Sequence, residues 1–186
     1  MTAASETSHT LTPGQFARAL AYAKDGSLFP DSEYHGEDHW RAVADQGIWL
    51  ARLLDLDQRS LTAGLLFGLF HDCRRENDGY DSSHGTRGAA ALQECDALAH
   101  LEDDLRRTLI EAMIEHDRGS VSDCSMTGLC WDADRSTLDR VGVAPDFRFF
   151  SSVMGNDFEN FIDRGAAVTA KPPSWEELYR QSLLGD

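Results

Sequence analysis

Imidazoles and carboxylates fall in this sequence where helical spacing turns them inward. His39 sits beside Trp40, one turn before Val43. His71 and Asp72 end the most apolar stretch of the chain, where an unpaired carboxylate would be costly to desolvate. His116 continues the stripe Leu105, Leu109, Ala112, Met113, and Asp134 lies on a stripe with Cys130, Leu138 and Val141. Asp132, two positions earlier, points away from that stripe, so helical geometry selects Asp134 as the inward-facing acid. Taken singly, an inward histidine is more often a hydrogen-bonded core residue, and an aspartate near a helix end more often a cap. Together they place His and Asp side chains on separate helices that could converge on one point. Imidazole nitrogens and carboxylate oxygens suit Mn, Fe, Zn, Ni or Mg, and the lack of a thiolate pair argues against a structural zinc site.

The elements that must position these groups all read as helices. Thr12-Pro13-Gly14-Gln15 supplies an N-cap, a proline at the first helical position and a capping-box glutamine, starting a helix that runs to about Lys24. A second helix spans about Glu37 to Leu54, with Trp40, Val43, Ala44, Gly47, Ala51 and Leu54 on one stripe. Leu61 to Cys73 is apolar nearly all round and reads as the central buried helix, with Gly64 and Gly68 allowing close approach of its neighbours. Two more helices are expected over Thr86–Ala97 and Glu102–Glu115, a loop over Ser120–Gly128, and a helix over Leu129–Val141 ended by Gly142. Pro172-Pro173 precedes a last helix with a capping box formed by Ser174 and Glu177. Phe147, Phe149, Phe150, Phe158, Phe161 and Trp175 are expected to pack as helices over the bundle, with a pocket wall or dimer face as alternatives. The expected fold is all-α: a flexible tail over 1–12 and one helical domain over 13–186.

With 186 residues, the chain is long enough for one sizeable core. Lys and Arg number 17 against 32 Asp and Glu, a net charge of −15 that repels phosphate backbones and anionic membranes. The longest apolar run is too short to cross a bilayer, and the polar N-terminus is not a signal peptide. The 4 cysteines form no CxxC pair and read as reduced thiols, pointing to a cytoplasmic protein.

His39, then His71-Asp72, then Asp134 resembles the H…HD…D signature of the HD superfamily of metal-dependent phosphohydrolases. His35-Gly36-Glu37-Asp38-His39-Trp40 is similar to the opening segment of small HD proteins, and Asp132-Ala133-Asp134-Arg135 to their final one, in which Asp134 is the ligand. The resemblance covers about 34–142. His84-Gly85-Thr86-Arg87-Gly88-Ala89 and Met113-Ile114-Glu115-His116-Asp117 resemble segments of members that carry a second metal. The resemblance therefore implies a ligand set of His39, His71, Asp72 and Asp134 for one divalent ion, with His84 and His116 serving a second and Asp72 bridging. For His84 the alternative, a helix N-terminal residue in a polar loop, stays open; His116 could also contact substrate directly.

The implied activity is hydrolysis of a phosphate ester of a nucleotide or small phosphorylated metabolite by metal-activated water, with Asp72 orienting the water. Arg75 and Arg87 are the candidate phosphate contacts, while Arg74 and Arg135 are set aside as surface pairs. His35 and Glu37 flank His39 and are read as helix-capping residues rather than orienting partners. Two other readings remain: a di-iron oxygenase on the same fold, and a non-catalytic metal-binding regulatory domain. No nucleic-acid or membrane partner is expected, and the chain is taken as a monomer or homodimer.

Overall fold

The computed structural model describes residues 8–152 and 156–183. Among these, eight α-helices and three short 3-10 turns form a bundle without strands; the one β-type contact is an isolated bridge between Ser8 and Leu101. Helix α1 covers Pro13–Asp25, α2 Glu37–Leu53, α3 Gln58–Phe70, α4 His84–Glu94, α5 Asp103–Glu115, α6 Ser125–Arg135, α7 Asn156–Ala170 and α8 Trp175–Gln181. No helix among the described residues is long and apolar enough to cross a membrane.

Helix α3 is the axis. Every residue from Ser60 to Phe70 is buried, because α2, α4, α5 and α6 surround it. Helix α2 runs closest along it, which small residues at the contact make possible: a Cβ on Gly64 would lie 2.8 Å from the Gly47 carbonyl carbon. Since α6, α7 and α8 also pack on α2, its buried surface is wider than the single expected stripe. Leu54, expected on that stripe, instead sits past the helix end and is exposed.

The local start signals operate as the sequence suggests. Thr12 and Gln15 cap α1 reciprocally, and Ser174 and Glu177 do the same for α8. Of the segment 1–12 expected to be a flexible tail, residues 1–7 lie outside the described residues. Residues 8–12 pack on the bundle, where the Ser8 N–H donates to the His100 carbonyl and Leu11 joins the core.

The largest departure lies after α6. The expected single helix over 129–141 begins earlier, at Ser125, and stops at Arg135; a separate 3-10 turn follows over Leu138–Val141. Ser136 Oγ donates to the Ala133 carbonyl and Thr137 Oγ1 to the Asp134 carbonyl, at 2.8 and 2.7 Å. Hydroxyls that take helical carbonyls in this way compete with continued helix, and the chain turns. Leu138 is then only half-buried and Val141 exposed, so the stripe ends at Asp134. Of the C-terminal aromatics, Phe150, Phe161 and Trp175 are buried, whereas Phe147 and Phe149 are exposed.

Candidate metal centre

Five elements deliver the candidate ligands to one point. His39 comes from the first turn of α2, His71 and Asp72 from the C-terminal end of α3, and His84 from the start of α4. His116 follows the end of α5, and Asp134 is in the last turn of α6. Helix α4 can reach the end of α3 because Gly88 faces it, where a Cβ would stand 2.8 Å from the His71 carbonyl oxygen.

The side chains form two groups that share Asp72. In the first, His39 Nε2 lies 3.1 Å from His71 Nε2 and 3.4 Å from Asp134 Oδ1. Asp72 Oδ2 is 3.6 Å from His39 Nε2 and 3.8 Å from His71 Nε2. In the second, His84 Nε2 is 2.9 Å from His116 Nε2, and Asp72 Oδ1 is 3.3 Å from His84 Nε2. Each oxygen of one carboxylate thus addresses a different group.

Tautomers bear on what this arrangement can hold. His71 Nδ1 points at the Phe67 and Gly68 carbonyls at 3.0 and 3.1 Å, His84 Nδ1 at the Asp81 carbonyl, and His116 Nδ1 at the Met113 carbonyl at 2.7 Å. A carbonyl can only accept, so each Nδ1 carries the proton and each Nε2 of the neutral ring a lone pair. The 2.9 Å contact between His84 and His116 therefore sets lone pair against lone pair. Two nitrogens each about 2.1 Å from one divalent ion, at right angles, lie about 3 Å apart. Backbone carbonyls orienting the distal nitrogens are the usual support of metal-bound histidines. Asp134 Oδ1 is buried without a hydrogen-bond partner, as expected at a site that takes a cation, whereas His39 Nδ1, its distal nitrogen, lacks the orienting carbonyl that the other three have. Ligand atoms close enough to share an ion come together in three overlapping groups, His39–His71–Asp134, His35–His39–Asp72 and Asp72–His84–His116, so the donor set fits a metal ion.

Protonation states agree. Burial pushes His39 and His84 below the ordinary imidazole value, and His71 down to about 4. For Asp72 burial acts upward, but facing His71, the His35 hydrogen bond and His39 outweigh it and hold the carboxyl well below the usual range. Burial also opposes charge on Asp134, where Arg140 and His71 prevail and lower its pKa. Near neutral pH His39, His71 and His84 are therefore neutral imidazoles and Asp72 and Asp134 ionised carboxylates, the forms that bind metal.

Several assignments from the sequence change here. His35, read as a capping residue, faces Asp72 Oδ2 through Nδ1 at 3.0 Å and belongs to the site. Glu37 stays outside, joining Lys24 and the Trp175 indole. Arg75 holds Asp72 Oδ1 at 3.3 Å from the cavity wall, whereas Arg87 is turned away and clamps Asp81 and the Arg74 carbonyl. Arg74 bonds carbonyls of α1, and Arg135 is buried against those of Ser120, His116 and Phe149, so neither is a surface pair.

Asp132 is buried too, and accepts the Ser151 and Ser152 N–H groups away from the cluster; burial raises its carboxyl to about 6. The sequence reading missed Arg140. Its Nη2 donates to His39 Nε2 at 3.0 Å and stands 3.6 Å from Asp134 Oδ1. No helical spacing connects Arg140 to Asp134, because the break at Ser136 and Thr137 is what folds it back.

Above the cluster opens a cavity of about 460 Å³ whose polar floor includes Asp72, His84, His116, Arg75 and Arg140. Its outer wall includes Tyr80, Val141, Val143 and Phe149. Comparison with protein-family models, with curated proteins and with solved structures finds no match to this chain.

Proposed function

We propose that this chain is a metal-dependent phosphohydrolase of the HD type, cleaving a phosphate ester of a nucleotide or small metabolite. The observation that carries this reading is the Asp72 carboxylate, with one oxygen toward the His39–His71–Asp134 group and the other toward the His84–His116 pair. When bound, divalent ions there supply an activated water and neutralise phosphoryl charge. The imidazole-rich donor set favours Fe, Ni or Zn over Mg.

The chain's own residues do the rest. Arg75 engages Asp72, Asn77 and Gly79, three acceptors for a group with five N–H donors, and projects from the cavity wall. Arg140, also lining the cavity, is held by the Tyr34 and Thr137 carbonyls at 2.7 and 2.9 Å; with the His39 Nε2 lone pair given to an ion, the Nη2 N–H that now uses it is left for an incoming phosphoryl group. His35 steadies Asp72 Oδ2, and burial of the imidazoles keeps bulk water from competing for the same atoms.

Metal content and hydrolysis of p-nitrophenyl phosphate, measured on wild type and Asp72→Asn, test this. Wild type is expected to hold up to two ions per chain and to hydrolyse the ester. Asp72→Asn is expected to lose metal and to slow by about a hundredfold or more. An Asp72→Asn protein that keeps its full metal content would overturn the assignment. The paired histidine groups also suit a di-iron oxygenase, for which oxygen uptake by the reduced, iron-loaded protein without ester hydrolysis is the distinguishing result.

A further inference from the structure

The outer half of the cavity differs in chemistry from its floor. Tyr80 is 90% exposed, Val143 50%, Phe149 44% and Val141 38%, and all four line the mouth. They come from two separate segments, the loop before α4 and the stretch after α6, yet close on one opening. In a chain with net charge −15, apolar side chains converging on one concave mouth mark a binding surface.

The side of the wall that follows α6 is held in place. At Gly142 the backbone adopts φ 72°, turning the chain between Val141 and Val143. Arg135 Nη1 holds the Phe149 carbonyl, and Asp132 accepts the Ser151 and Ser152 backbone N–H groups at 2.9 and 2.7 Å. Such a surface binds with little ordering cost.

Charge limits what sits beyond the first phosphoryl group. The lining cations are Arg75, Arg140 and Arg135, and Arg135 is spent on carbonyls. The carboxylates of Asp117 and Asp146 also line the cavity, and Asp146 is paired with the exposed Arg148, which lies over the Phe149 ring at 6.0 Å. A second phosphate would meet the Asp117 carboxylate and no lining cation beyond Arg75 and Arg140 that is free of carbonyls, and a polyhydroxylated body would lose water against carbon.

Resting on the phosphohydrolase reading, we infer that the substrate is a phosphomonoester with a single phosphoryl group and a compact apolar, ring-bearing body that packs against Tyr80, Val143 and Phe149. The class excluded is polyphosphates and sugar phosphates, which narrows the nucleotide-or-metabolite reading to a small metabolite ester.

Calorimetric binding to the full metal-loaded chain tests this with phenylphosphonate, methylphosphonate and tripolyphosphate. Phenylphosphonate is expected to bind at least about tenfold tighter than methylphosphonate, and tripolyphosphate weaker than either. Phe149→Ser and Val143→Asp are expected to bring phenylphosphonate to within about threefold of methylphosphonate, with the metal content of wild type. Equal binding of the two phosphonates, binding of neither, tighter binding of tripolyphosphate, or a preference that survives both substitutions would each overturn the inference. The phenyl preference without any ester hydrolysis would leave the pocket reading standing and remove the hydrolase; hydrolysis without the preference does the reverse.

Discussion

Three imidazoles in the cluster have their proton placed by a backbone carbonyl, and that constraint has a consequence for stability. His71 titrates at about 4 when folded, against 6.5 ordinarily, because burial penalises its charged form. Between those values the unfolded chain binds a proton that the native protein refuses, so acidification favours unfolding. The stability is fully present above about pH 6.5 and is lost as pH falls toward 4, to the extent of roughly 3 kcal/mol for His71 alone. His39 and His84 are shifted the same way. Asp132 opposes them: with its carboxyl raised from 3.8 to about 6, it favours the folded state more as pH falls through that window. Metal-free protein, prepared with a chelator, is therefore expected to melt at lower temperature at pH 4.5 than at pH 7. Asp132→Asn should steepen that decline. A melting temperature flat or rising on acidification would contradict the placement of the histidines. Residue types gave most of this cluster away, since buried imidazoles on apolar stripes need a reason. Arg140 did not show, because it reaches the site from a 3-10 turn beyond the break after α6, and His35 reads only as a cap, because it sits on irregular backbone where spacing carries no directional information.

At the scale of elements, what the sequence reveals depends on how local the cause is. Reciprocal caps at Thr12–Gln15 and Ser174–Glu177 involve residues three apart, so the starts of α1 and α8 can be read directly. The burial of α3 is equally plain, as a run apolar on every side has nowhere else to go. The end of α6 is different. Ser136 and Thr137 are compatible with helix, and only their bonding to the carbonyls of the preceding turn ends it. The contact of α2 with α3 offers the sharpest test. At Gly64 a Cβ would meet backbone atoms of Gly47 and Ile48 at 2.8 and 3.0 Å, and backbone cannot step aside as a side chain can. Gly64→Ala is expected to destabilise by about 1–3 kcal/mol. In Gly14→Ala, by contrast, the new Cβ would find its nearest neighbour, the Arg18 guanidinium, at 3.7 Å. That change should be neutral or stabilise by about 0.4–1 kcal/mol, through the unfolded chain. Urea midpoints at unchanged slope distinguish the two, and a Gly64→Ala midpoint equal to wild type would refute the close approach.

Over the whole molecule, the C-terminal layer is tied to the bundle by polar contacts as well as by Phe161 and Trp175. Asp45 on α2 is 3% exposed and meets the Arg164 guanidinium of α7, which also donates to Gln46 Oε1 and lies over the Trp49 ring at 5.1 Å. Gln46 Nε2 in turn donates to Ser136 Oγ at 2.8 Å and to the Phe161 carbonyl at 3.0 Å. One network thus joins α2, α7 and the break after α6, the break that aims Arg140. Burial already raises the Asp45 carboxyl, so it depends on Arg164 for its charge. Removing one member of such a pair leaves the other unpaired and costs more than the pair contributes. Because the Arg164 side chain is 28% exposed, the usual figure for a buried pair has to be reduced. Arg164→Met is expected to cost about 2 kcal/mol, and adding Asp45→Asn should recover about half of it, since the stranded carboxylate is gone. If the double variant is no more stable than Arg164→Met alone, the cost comes from lost packing over Trp49, and the ionic tie between the layers is not what holds them.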